Sequence, residues 1–99
     1  MINKTEGYTT TDGHTFANIT DAMTWESMCN YAEIVVPYAK TAGIGQTEIT
    51  VIDDATKGVL LDYLYFTYHF PNEELIKIVH ASAPCIIIYD RDSKEIEVI

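Results

Sequence analysis

The chain has 99 residues, 15 of them acidic and 6 basic, for a formal net charge of −9, and 47% of its residues are apolar. That apolar share excludes a disordered acidic tail, and the length predicts one domain spanning residues 1–99. The charge argues against nucleic acid or an anionic membrane as a direct partner, because both are polyanions.

Residues 5–17 predict a hairpin turning on Asp12-Gly13. A two-residue loop would set Tyr8 opposite Ala17. A three-residue loop, Thr11-Asp12-Gly13 with Gly13 left-handed, sets Tyr8 opposite Phe16 and gathers the aromatics into one cross-strand pair, so it is preferred. Thr20-Asp21 then begins a helix, with Thr20 as N-cap and Asp21 complementing the positive end. Ala22, Trp25, Cys29, Ala32 and Val36 predict its buried stripe, with Met28 and Val35 beside them, while Glu26, Asn30 and Glu33 form a polar stripe. Pro37 ends or kinks the helix, and a short turn runs from Pro37 to Thr41, towards Gly43.

Residues 47–52 are β-branched and lean towards a strand; the competing reading is one long helix from 47 to 69. Residues 54–70 predict a helix capped by Asp53 or Asp54, apolar nearly all round and stopped by Pro71. Such a helix is central, or it shows a second apolar face to a partner. Asn72 is the expected cap of a short third helix, with Glu73 and Glu74 in its first turn and Leu75, Ile76 and Val79 as its buried stripe. Cys85–Tyr89 predicts an inner strand, Asp90–Ser93 a turn, and Lys94–Ile99 a half-buried strand with Ile96 and Val98 on one face and Glu95 and Glu97 on the other. The fold class is therefore α+β, an antiparallel sheet from N- and C-terminal hairpins packed with three helices.

The segment Tyr8-Thr9-Thr10-Thr11-Asp12-Gly13-His14-Thr15-Phe16, followed by Asp21-Ala22 and Glu26, resembles an opening found in small bacteriophage open reading frames. Those carry a Y-x-T-x-D-G-x-x-F hairpin leading into a helix with an acidic-Ala step. Here one extra threonine precedes Asp12, and the resemblance spans residues 8–26. It implies a phage accessory protein. Many of these are short and acidic and act by binding a host enzyme, and some block CRISPR or restriction machinery by mimicking nucleic acid. No catalytic residue carries over.

No catalytic or metal motif competes with that reading. Asp90-Arg91-Asp92-Ser93-Lys94-Glu95 superficially suggests a calcium loop, but Lys94 takes a ligand position and Glu95 the glycine position, so a solvated turn is expected. His14, His69 and His80 have no zinc spacing with one another or with Cys29 and Cys85, although a Cys–His pair can still form in space. Gly43-Ile44-Gly45 lacks the lysine of a phosphate loop. Neither metal nor cofactor is expected. Both cysteines read as free thiols of a reducing cytosol. With neither a signal-like segment nor an apolar run near the ~20 residues of a membrane span, a cytoplasmic location without membrane contact is expected.

Residues 47–99 hold ten of the 15 acids. Turns, helix starts and an edge strand account for several; Glu26, Glu33, Glu48 and Asp62 have no such ordinary role. If Glu48, Asp53, Asp54 and Asp62 share a surface with Glu73 and Glu74, they form a carboxylate band. Tyr63, Tyr65, Phe66, Tyr68 and Phe70 are too many for one buried stripe, so some should reach the surface as binding anchors. The expected interface is thus Glu26, Glu33, Glu48, Asp53, Asp54, Asp62, Tyr63, Tyr65 and Tyr68. The expected function is non-enzymatic binding and inhibition of a host protein, in its specific form a nucleic-acid-handling defence complex. The alternatives are a structural or assembly subunit, a homodimer through the aromatic helix, or a small ligand-binding domain or enzyme.

Overall fold

The computed structural model describes residues 3–4 and 7–99. Residues 5 and 6, the expected start of the first hairpin, lie outside the described residues. The chain is α+β. A small sheet, β1 (Asn3–Lys4), β2 (Tyr8–Thr9) and β3 (Thr15–Phe16), precedes helix α1 (Ile19–Asn30). A four-stranded antiparallel sheet follows in the order β4 (Ala39–Gly43), β5 (Gln46–Val51), β6 (Cys85–Asp90), β7 (Glu95–Val98). Between β5 and β6 the chain forms α2 (Asp54–Tyr68) and α3 (Asn72–Val79).

The three-residue loop is the one adopted. Tyr8 pairs with Phe16 and Thr9 with Thr15, and Gly13 sits at φ +92°. Beyond the hairpin, the cap of α1 is Asn18, not Thr20: the Asn18 side chain accepts from the Thr20 backbone N–H at 2.7 Å, so the helix starts two residues earlier. The expected buried stripe is also corrected. Ala22, Ser27, Tyr31 and Val35 are buried, whereas Ala32 and Val36 are exposed. The last five residues of the helical run, Tyr31–Val35, form a π-type turn that widens the spiral and shifts its phase. Trp25 and Cys29 are half-buried, their polar atoms directed at Asp12 of the hairpin. A 3₁₀ turn, Val36–Tyr38, then carries Pro37 into β4.

From Ala39 onward, β4 replaces the turn expected from Pro37 to Thr41. Ala39-Lys40-Thr41-Ala42-Gly43 has little strand propensity of its own, and its order comes from pairing with β5. β5 itself is the strand preferred over a long helix. Asp53 caps α2, accepting from the Thr56 N–H at 2.8 Å, and His69 closes it in the left-handed region at φ 54°. Asn72 is not the cap of α3 but its first residue, with Pro71 before it. Nor are Ile76 and Val79 buried: the core stripe of this helix is Leu75 and Ile78.

One face of the large sheet carries Ile49, Val51, Ile87, Tyr89 and Ile96 into the core, where they meet Leu60, Leu64, Tyr31 and Val35. The other face is open and bears Glu48, Thr50, Ile86, Ile88, Asp90, Glu95 and Glu97. Among the described residues no helix is long and apolar enough to cross a membrane.

Candidate functional site

The nine expected interface residues do not form one surface. Glu26 is occupied in holding the first hairpin, accepting from the Thr11 N–H at 3.0 Å and from the Thr11 hydroxyl. Glu48 lies on the open sheet face, paired with Lys40 at 3.1 Å. Asp53 is the α2 cap, and hydrogen bonds from the Thr56 N–H and hydroxyl hold its carboxyl below its ordinary value. Asp54 stands exposed in the same first turn, and Glu33 is exposed on the π-type turn. The carboxylate band drawn through Glu48, Asp53, Asp54 and Asp62 is therefore divided between the sheet, the start of α2 and the middle of α2.

Two of the tyrosines are half-buried. The Tyr63 ring stacks on Tyr31 at 3.7 Å, its hydroxyl meets that of Tyr68 at 3.3 Å, and Tyr68 lies edge-on to Phe70. Lys94 Nζ covers Tyr68 at 5.1 Å from the ring centre. This cluster continues through Tyr31 to Tyr89, so Tyr63 and Tyr68 are half-buried and pack against the core. Burial pushes the Tyr31 and Tyr63 phenols well above their ordinary range, which keeps them neutral donors.

Asp62 and Tyr65 do come together. They stand on the outer side of α2, facing the outer side of α3. Leu61, Phe66, Leu75, Ile76 and Val79 complete an open groove of about 580 Å³ with Asn72 at one end. Three of its side chains are about half exposed and lie together: Tyr65 is 50% exposed, Ile76 49% and Val79 50%. Asp62 is the only charge in its lining. Asp62 is itself exposed, and partial desolvation raises its carboxyl above the ordinary range. Among the described residues no cation stands at ion-pair distance from it.

The groove is built by the antiparallel approach of two helices. Lys57, in the first turn of α2, donates to the Val79 carbonyl at 3.2 Å and the Ala81 carbonyl at 2.9 Å, fastening the C-terminal end of α3. On its far side, Lys77 reaches Glu74 at 2.8 Å and the Ile96 carbonyl at 3.3 Å, tying α3 to β7. α3 is thus held from both sides while Ile76 and Val79 stay uncovered. The sequence did hold a sign of this. Four apolar residues in an eight-residue helix, Leu75, Ile76, Ile78 and Val79, exceed one stripe.

Elsewhere, Asp12 gathers donors. Its carboxylate accepts from the Thr10 hydroxyl, from Trp25 Nε1 at 2.8 Å and from His14 Nδ1 at 2.9 Å, and the Cys29 thiol approaches to 3.7 Å. The Thr10 and Trp25 bonds hold Asp12 far below the usual carboxylate range. Burial and the neighbouring Asp12 push the Cys29 thiol up, the opposite of what a nucleophile needs. His14 and Cys29 both face Asp12, and their arrangement fastens the hairpin to α1. At the other end, Asp90 Oδ1 caps its turn, accepting from the Asp92 N–H at 2.9 Å and the Ser93 N–H at 3.1 Å. Among the described residues no group of three or more His, Cys, Asp or Glu is placed to hold a metal ion.

The acids the fold does bring together are a different set. On the open sheet face Glu48 and Glu97 flank Ile88, and Asp90 lies directly opposite Glu95. Comparison with protein-family models, curated proteins and solved structures finds no match for this chain.

Proposed function

We propose that this chain is a non-enzymatic binding protein of the bacteriophage accessory type, which docks on a host protein through the α2–α3 groove and inhibits or redirects it. The observation that carries the reading is the exposure of Tyr65, Ile76 and Val79 around one apolar groove on a rigidly braced helix pair. Covering such side chains releases about 25 cal/mol for each Å² of apolar surface removed from water. Tyrosine adds a large contact area with few torsions to freeze. The net charge of −9 and the carboxylates of the open sheet face steer encounters towards a basic partner. A nucleic-acid-handling defence protein has such a surface, and this is the specific form of the proposal.

The test replaces Tyr65 with a photo-crosslinking phenylalanine analogue and illuminates the protein in bacterial host lysate. A discrete adduct that disappears on adding Ile76→Asp supports the reading. The absence of any reproducible adduct contradicts it. Salt separates the two forms of the proposal: a phosphate-mimicking surface loses affinity steeply as salt rises, whereas groove docking alone does not.

A further inference from the structure

We infer that the occupant of the α2–α3 groove is an amphipathic helix of a partner protein, apolar on its seated face and carrying a lysine or arginine on the flank that meets Asp62. This rests on the groove being a docking site, and it names the chemistry of what docks.

The argument for a helix is one of backbone satisfaction. The walls are side chains of two helices whose own backbone groups are internally bonded, and the polar groups in the lining are Asp62, Asn72 and the Tyr65 hydroxyl. An extended segment laid there would press unpaired N–H and C=O groups against Leu61, Phe66 and Ile76. A helix satisfies its backbone internally and offers an apolar stripe at i, i+3, i+4 and i+7. α3 is eight residues long, about 12 Å at 1.5 Å per residue, so two to three turns of a partner helix match it.

The argument for a cation is charge complementarity. Asp62 is the one charge in the lining, and a seated helix would shield it further from water. A carboxylate covered without a partner is costly, whereas a cation at hydrogen-bond distance offsets the loss of hydration. Among the described residues no cation stands at ion-pair distance from Asp62. Lys40 is paired with Glu48, Lys57 holds the end of α3, Lys77 is paired with Glu74, and Lys94 lies over Tyr68 and bonds the Arg91 carbonyl. A second copy of this chain is disfavoured on the same ground, since each copy carries −9.

The probe is a fluorescein-labelled peptide of about 11 residues, three turns of helix, with leucines at i, i+3, i+4 and i+7 and lysines on the flanks. Its controls are a twin with glutamates for the lysines and a scrambled peptide with the same lysines but no apolar stripe. Each is titrated by fluorescence anisotropy into the full chain and into Asp62→Asn and Ile76→Asp. Circular dichroism confirms that the variants fold, as expected for exposed positions. The lysine peptide should bind about tenfold tighter than its glutamate twin and than the scrambled peptide. Asp62→Asn should shrink the lysine preference to about twofold, and Ile76→Asp should weaken both amphipathic peptides. Equal binding of lysine and glutamate peptides overturns the cationic assignment, and equal binding of the scrambled peptide overturns the helical one. In both cases a Tyr65 crosslink that depends on Ile76 would leave the docking reading standing. Binding untouched by Ile76→Asp, or a dimer in sedimentation velocity that Ile76→Asp dissolves, overturns the inference.

Discussion

The hydroxyls of Tyr31 and Tyr89 meet at 2.9 Å inside the core, joining the end of the α1 helical run to the inner strand β6. Both rings are buried, so neither hydroxyl has water to fall back on. Tyr31→Phe should therefore cost about 1–2 kcal/mol, because it leaves the Tyr89 hydroxyl buried and unpaired. Tyr31→Phe combined with Tyr89→Phe should cost less than the two single changes added together. Urea titrations of the four proteins check this. Strict additivity would mean that the contact does not couple the two elements.

Asp12 gives the fold an acid-sensitive fastening. Its folded pKa lies below its unfolded value, so the stability it supplies is complete above the ordinary aspartate range, about 4. That stability is lost as pH falls below 4 towards the depressed folded value. Trp25 donates to the same carboxylate and is the chain's single tryptophan, which makes it a direct reporter. Its fluorescence should change on acidification below pH ~4. In Asp12→Asn the urea midpoint should already be lower at pH ~7, and the acid transition in Trp25 fluorescence should be missing.

What could be read from the sequence was local. The Thr11-Asp12-Gly13 loop, the Asp53 cap and the inner strand Cys85–Tyr89 each follow from a few adjacent residues, and each stands in the fold, whereas α2 ends at Tyr68 with His69 left-handed, two residues short of the end expected before Pro71. The misreadings come from tertiary pairing and helix phase. β4 is ordered by β5 and not by its own residues. The π-type turn places Tyr31 in the core beside the expected Val35, where straight helical spacing selects Ala32 and Val36. The same limit governs the site. Leu60 and Leu64 face the core, which turns Asp62 and Tyr65 outward and leaves Tyr63 and Tyr68 half-buried against the core, a phase that the nearly uniform apolar run from Val59 to Phe70 does not reveal. Asp62 and Tyr65 were legible as candidates by type, but their shared groove needed α3 beside them.

Two glycines should respond in opposite directions. Gly45 sits at φ +73° in the β4–β5 turn, and its carbonyl accepts from the Arg91 N–H at 3.1 Å. A methyl group there would lie 2.7 Å from the Asp92 carboxylate. Asp92 is exposed and can swing aside, so the lasting cost of Gly45→Ala is the left-handed backbone, about 1–2 kcal/mol. Gly58 lies within α2 with nothing within 4 Å of an added Cβ. Gly58→Ala should stabilise by about 0.5–1 kcal/mol, by reducing the freedom of the unfolded chain. Thermal melts of both variants test the pair, and a loss of stability in Gly58→Ala would contradict the open space beside that helix.

Asp62→Asn should separate stability from binding. The folded pKa of Asp62 is raised, so ionisation favours the unfolded chain. Below the unfolded value, about 4, the carboxyl is neutral in both states and carries no penalty. As pH rises through that value and then through the folded one, the penalty grows, and it is complete once the folded group has ionised. Asparagine has no such charge, so Asp62→Asn should melt at a higher temperature than the native chain at pH ~7, with the difference closing below pH ~4. At pH ~7 the same change should weaken capture of a cationic helix, because the carboxylate that burdens the free protein is the group the lysine pairs with. A melting temperature that does not rise, or a rise that persists at low pH, would mean that the groove wall does not burden the Asp62 charge. Higher stability with unchanged affinity for the lysine peptide would mean that the charge is burdened but not used in binding.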